Sequence, residues 1–270
     1  MDFLPKYLVD DNFKKGEQYL IKLRYGVEIR ILVRSLLTDN VQFDVDFFTK
    51  FCNLLLEEIH KLTTNRRKRV NILYYQVYNE KLLPKKKGEI LTCNEVNSGL
   101  CYMHSSEDET NIIIHRKEEF FKVLIHEMLH LYDLIPHDLE LDRQIENMYQ
   151  MKVNTNEACV ELNALILNNI IIFRMYDIPL KELMKRELVW SLKKVKQLLY
   201  HFDIITLHEV GKKWKESTNA FAYYVLKTFL LISVYEYTFD KLSNENLFDG
   251  YDIYGKLLMT INDVENMKFT

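Results

Sequence analysis

Glycine and proline are scarce in this 270-residue chain, at 7 and 4. Few left-handed turns and few rigid breaks are therefore written into it, which favours a mostly helical protein with short connections. Cysteine is scarce as well. Cys52, Cys93, Cys101 and Cys159 form no CxxC pair, which argues against a thiolate metal site and leaves them to be read as reduced thiols. The N-terminus, Met1-Asp2-Phe3-Leu4-Pro5-Lys6, lacks a basic stretch followed by an apolar core, so no signal peptide is expected. An excess of one charge is missing too. The formal net charge of −3 is too small for a global field that would draw in nucleic acid or a membrane. Long apolar runs are absent: residues 164–173 are broken by two asparagines and 229–234 are few, so both read as buried helices and not as bilayer spans. No repeat, low-complexity tract or linker stands out. These absences lead us to expect an intracellular, cytoplasmic protein without a membrane partner.

Apolar residues make up 48% of the chain, ample for a packed core. Residues 118–135 contain no Gly or Pro and stop at Pro136, as a helix should. Within them lies His126-Glu127-Met128-Leu129-His130, an HExxH motif. Residues four apart share a helix face, so His126 and His130 present two imidazoles side by side, suited to two corners of a tetrahedral zinc site. Glu127 is placed to act as general base on a water that the metal activates. Further on, Asn156-Glu157-Ala158-Cys159-Val160-Glu161 opens a second apolar helix running to about residue 174. Two histidines leave a catalytic zinc one protein ligand short, and Glu157 is a natural third. Glu161, one turn on, is placed to accept the other ring N–H of a ligand histidine and hold its tautomer.

HExxH followed by NExxxE on a later helix resembles the gluzincin metallopeptidases of the thermolysin and anthrax lethal factor type. The resemblance covers residues 111 to about 174. It implies Zn2+ held by His126, His130 and Glu157, Glu127 as catalytic base, Glu161 behind the ligands, and a peptide or protein substrate. It also implies an α+β, zincin-like fold: a small mixed β-sheet lobe ahead of the active helix (70–116), then a mostly helical lobe (117–270); residues 1–69, outside the resemblance, read as a mainly helical N-terminal segment. In this family an edge strand pairs with the substrate backbone. By carry-over that strand is Gly99, Leu100, Cys101 and Tyr102, with Gly99 either permitting close backbone approach or serving only as a turn glycine. The family adds a Tyr or His that stabilises the oxyanion; His208, Tyr223, Tyr224 and Tyr235 are candidates, and Tyr224 is preferred. No GxMEN-type signature is present, which tilts the expectation towards an endopeptidase.

The remaining readings are coarser. Residues 1–20 read as an irregular or short helical lead, and 25–37 fit strand or helix. Residues 45–62 have helical spacing. Strands are expected at 70–78, 89–93, 100–103 and 111–115, with an acidic loop at 105–110. Helices are expected at 180–200 and, after Ser217-Thr218-Asn219, at 220–237; residues 137–151 are helix or loop, and 248–270 add a last helix. Asn65-Arg66-Arg67-Lys68-Arg69 is a nuclear import signal, a phosphate-binding patch or, more simply, a solvated turn; Lys85-Lys86-Lys87-Gly88 reads as an exposed loop. Nucleic acid is not the expected partner. A metzincin pattern fails, since its Gly position is Asp133 and its last position Pro136. Asp133 is conceivable as a third ligand, but fits better as a polar neighbour of the ligands or a helix-end residue. A SprT-like site with His137 would leave NExxxE unexplained. For His60, His104 and His115 a surface or core role is the default; His201 lies far downstream. The rival to an enzyme is a catalytically inactive binding or structural protein on the same fold.

Overall fold

The computed structural model describes Leu8, Phe13 and residues 16–36, 42–65, 67–102 and 109–241. The expected helix at 248–270, most of the 105–110 loop, His104 and Arg66 lie outside these residues, as does most of the N-terminal lead. The described chain is α+β and divides into two compact units, Met1–Lys81 with Asn97–Ile135, and Leu82–Val96 with Pro136–Thr270.

The first unit is a five-stranded mixed sheet with two helices. Its strands are β1 (Glu17–Lys22), β2 (Glu28–Ser35), β3 (Arg69–Gln76), β4 (Gly99–Cys101) and β5 (Ile112–Ile114), in the order β1-β2-β3-β5-β4. β2, β3 and β5 run parallel, while β1 and β4 are antiparallel edges. Helix α1 (Val45–Leu62) makes the crossover from β2 to β3. It begins where the Asp44 carboxylate accepts from the Phe47 N–H, and it buries Phe48, Phe51, Cys52, Leu55, Leu56 and Ile59. That spacing of three and four residues is one helix face. The inner strand β5 is buried at all three positions, as a strand covered on both faces should be.

Two expectations are corrected here. Residues 1–69 are not mainly helical, since they supply β1 and β2 as well as α1. Residues 89–93 are not a strand of this sheet: Leu91 makes only an isolated bridge to Glu216, and Cys93–Val96 is a short helix, α2.

The second unit is helical: α4 (Leu139–Tyr149), α5 (Thr155–Tyr176), α6 (Leu180–His201), α7 (Val210–Lys213), a π-helix (Phe221–Leu226) and α8 (Lys227–Lys241). The helical region was expected to begin at 117, but the HExxH helix belongs with the sheet and the second unit resumes at Pro136. α5 is long and apolar enough to cross a membrane, yet 61% of that stretch is buried inside the protein. The buried amides of α5 are satisfied: Asn163 donates to the Cys159 carbonyl of its own helix and Asn169 to the Met184 sulfur on α6.

Helices here end without glycine. Asp133, Gln150, Asp177 and Asp203 follow α3 (Phe120–Leu131), α4, α5 and α6 with φ of 50°, 53°, 57° and 56°. Short polar side chains tolerate this left-handed conformation better than branched ones do. The low glycine count is thus compatible with many helices because aspartate, and after α4 glutamine, takes the terminal position.

Candidate metal centre

Helix α3 (Phe120–Leu131) carries HExxH. Its entry is set by aromatic packing: the Phe120 ring lies 4.2 Å from that of Tyr74 on β3, and Phe121 lies 4.5 Å from Phe51 on α1. Just before it, the Glu119 carboxylate accepts from Ser98 Oγ at 2.7 Å and pairs with Lys81 at 2.6 Å. Burial alone would raise the Glu119 pKa, but Lys81, Lys122 and the Ser98 hydroxyl hold it down to about 2. Glu119 is therefore a fixed anion at the helix N-terminus, where the dipole favours one. Arg116, fully buried, donates to the carbonyls of Asn79 and Asn97.

The helix ends earlier than its Gly- and Pro-free sequence allows, at Leu131 and not at Ile135. Asp133 N–H donates to the His130 carbonyl and Leu134 N–H to that of Leu129, the paired closure of a Schellman motif. Arg67 Nε takes up the Leu131 carbonyl at 3.2 Å. Of the basic run, Arg67 thus closes a helix and Arg69 pairs with Glu28 at 2.9 Å, as a structural turn would. Asp133 is not on the helix three residues after His130; it is exposed beyond its end, which leaves the helix-end role.

His126 and Glu127 are nearly fully buried, at 7% and 6% exposure. The Nε2 atoms of His126 and His130 stand 3.2 Å apart. Beside them runs β4. A Cβ at Gly99 would lie 2.6 Å from Val123 Cγ1 and 2.7 Å from Glu127 Oε1. Gly99 is therefore a close-approach glycine, and the turn reading gives way. β4 is the sheet edge, as expected for residues 99–102, although the strand itself ends at Cys101. Its pairing to β5 uses the backbone groups of Ser98 and Tyr102 on the inner side. By alternation those of Gly99 and Cys101 face outward. Leu100 is half-buried and Tyr102 exposed. The Cys101 thiol is pushed up to about 12, by burial first and then by the Glu127 charge, so it stays protonated and is a poor nucleophile or metal ligand.

Glu157 sits in the first turn of α5. That turn is gripped by Asp142 of α4, whose Oδ1 accepts from both the N–H and the hydroxyl of Thr155, at 2.8 and 2.6 Å. Asp142 Oδ2 lies 2.6 Å from His137 Nε2, so His137 is engaged by the helix cap. The donor atoms of His126, His130 and Glu157 all lie within 4.8 Å of one another. Two imidazoles and one carboxylate are a donor set that could hold a metal ion.

Glu161, half-buried one turn beyond Glu157, and Tyr224, half-buried in the π-helix, are not among these three donors. Nor are the core histidines. His115 is fully buried and its pKa falls to about 3, through burial first and then the Arg116 and Lys81 charges. His201 shares a hydrogen bond with the Glu89 carbonyl. Sequence reasoning missed the grips of Asp142 on Thr155 and of Glu119 on Ser98 and Lys81. Each joins polar residues with no local spacing pattern to betray it. Compared with protein-family models, with curated proteins and with solved structures, the chain matches none of them.

Proposed function

We infer that this protein is a zinc-dependent peptidase of the gluzincin type. The observation that carries this reading is the gathering of His126, His130 and Glu157 donor atoms within 4.8 Å, with the buried Glu127 adjoining His126 in the sequence. Zinc held by His126, His130 and Glu157 would supply Lewis acidity towards a substrate carbonyl and a nearby water. The chain's own groups do the rest. Glu127 takes a proton from the attacking water and delivers it to the leaving amine. The outward backbone groups of Gly99 and Cys101 pair with an extended substrate, and the missing side chain at residue 99 lets β4 run close to Glu127. Tyr224 is the candidate for the oxyanion partner, by family resemblance alone.

The same donor set, two histidines and a carboxylate, also holds iron in oxygenases. The buried carboxylate of Glu127 directly after the first histidine favours hydrolysis, for which a base is needed. Elemental analysis of purified wild type and Glu157→Gln, beside peptide-library cleavage by wild type and Glu127→Gln, tests the reading. One zinc per chain, weakened in Glu157→Gln, with cleavage abolished in Glu127→Gln, is expected. Zinc without cleavage would replace the enzyme by a metal-holding binding protein; iron in place of zinc, or no metal at all, would end the proposal.

A further inference from the structure

Helix α6 carries a charge that the near-neutral total conceals. Over Leu180–His201, Lys181, Lys185, Arg186, Lys193, Lys194 and Lys196 stand against only Glu182 and Glu187, in a chain whose net charge is −3. Leu183, Met184, Ser191, Val195, Leu198 and Leu199 are buried. Residues 185, 189, 193, 196 and 200 follow at spacings of three and four, so they form one stripe on the opposite face. That stripe mixes lysine with apolar groups: Val189 is 60% and Tyr200 73% exposed, and Leu192, beside it, is 43% exposed.

The fold extends the stripe with residues far away in sequence. Gly88 N–H donates to the His201 carbonyl at 2.8 Å. The Lys87 ammonium sits 4.2 Å over the Tyr200 ring and 3.2 Å from the Asp203 carboxylate. Lys85-Lys86-Lys87, unexplained by the metal centre, thereby adjoins the C-terminal end of the α6 stripe. Of the acids nearby, Glu182 pairs with Arg186 and Asp203 with Lys87. Leu82 and Ile205, flanking these segments, are also exposed, at 69% and 62%.

We propose that the outward face of α6, with the Lys85–Lys87 turn, seats the protein on an anionic lipid surface. The lysines reach lipid phosphates while Val189, Leu192 and Tyr200 enter the headgroup layer. Lipid is favoured over nucleic acid by the residue types. The cations are lysine point charges with a single arginine, not the forks that read phosphate and base edges. The exposed aliphatic groups have no partner on a phosphate backbone, but bury apolar area in a headgroup layer.

The test is co-sedimentation of the full chain with vesicles of phosphatidylcholine alone and of phosphatidylcholine containing phosphatidylserine. Binding is expected only to the second, weakening as salt rises. Reversing three exposed charges (Lys185→Glu, Lys193→Glu, Lys196→Glu) lowers the partition coefficient roughly 100-fold or more. Val189→Ser with Leu192→Ser lowers it about tenfold through lost apolar burial. All five positions lie on the outward side of α6, so circular dichroism should show an unchanged fold. Equal binding to neutral vesicles, no binding to anionic vesicles at low salt, or full binding by the triple variant overturns the proposal. Tighter binding to an oligonucleotide than to the vesicles, lost in the same triple variant, replaces lipid by nucleic acid.

Discussion

A methyl group at position 99 would stand 2.6 Å from Val123 Cγ1 and 2.7 Å from Glu127 Oε1, closer than unbonded atoms tolerate. Either β4 or α3 must give way, at a cost of about 1–3 kcal/mol for overpacking. Gly99→Ala is therefore expected to lower stability by that amount in urea titration and to lower peptide turnover further, with zinc stoichiometry retained, because the displaced atom belongs to the proposed base and not to a ligand. Unchanged turnover would separate Glu127 from the chemistry. Glu127→Gln removes the proposed base alone. It should bind zinc as the wild type does while cleavage falls below detection. Of these residues, the histidines were legible from spacing because i and i+4 share a helix face whatever surrounds the helix. The contact of Gly99 with Glu127 was not, since a glycine leaves no trace of what approaches it.

Helix ends carry the next set of expectations. Asp177 follows α5 with φ of 57° while its N–H closes the last turn on the Phe173 carbonyl. An L-residue in that conformation costs about 1–2 kcal/mol relative to glycine, partly offset by glycine's freedom in the unfolded chain. Asp177→Gly should stabilise the protein by roughly 1 kcal/mol, raising Tm by about 2–4 °C; a lower Tm would mean that the aspartate side chain supports the turn. The start of the same helix behaves oppositely. Asp142→Ala leaves the Thr155 N–H and hydroxyl without their acceptor, at a cost of about 1–3 kcal/mol, and loosens the turn that presents Glu157. Zinc titration should show weaker binding along with the lower melting point. Elements were legible in proportion to length and period. α6 was expected at 180–200 and spans Leu180–His201, since Pro179 marks its start and one face alternates with the other over six turns. β1 went unread because only Ile21 of its six residues is buried, so it shows no period of two. Residues 89–93 misled for the converse reason: Leu91 is fully buried, yet in the helical unit, where a bridge to Glu216 replaces a sheet.

Two buried groups give the whole molecule opposing responses to pH. His115 has its pKa pushed down to about 3. Between that value and its unfolded value near 6.5 the unfolded chain holds a proton that the fold does not, so its contribution is present above pH 6.5 and is lost as pH falls. Glu216 is the reverse. Burial pushes its carboxyl up to about 7, against N–H donation from Trp214, Phe221 and Ala220. The fold keeps a proton that the unfolded chain has shed above about pH 4.5, so this contribution is present below pH 4.5 and is lost as pH rises towards 7. From pH 4.5 to 6.5 the two slopes, each about 1.4 kcal/mol per pH unit, have opposite signs. Removing either group exposes the other. Glu216→Gln should make stability fall on acidification through this window, and His115→Asn should make it rise, in urea titrations at pH 4.5, 5.5 and 6.5. Below pH 4.5 Glu119, held down to about 2 by Lys81 and Lys122 in spite of its burial, adds a further loss as it becomes protonated in the unfolded chain first. Parallel slopes in the two variants would show that neither group titrates in the buried setting that its neighbours create.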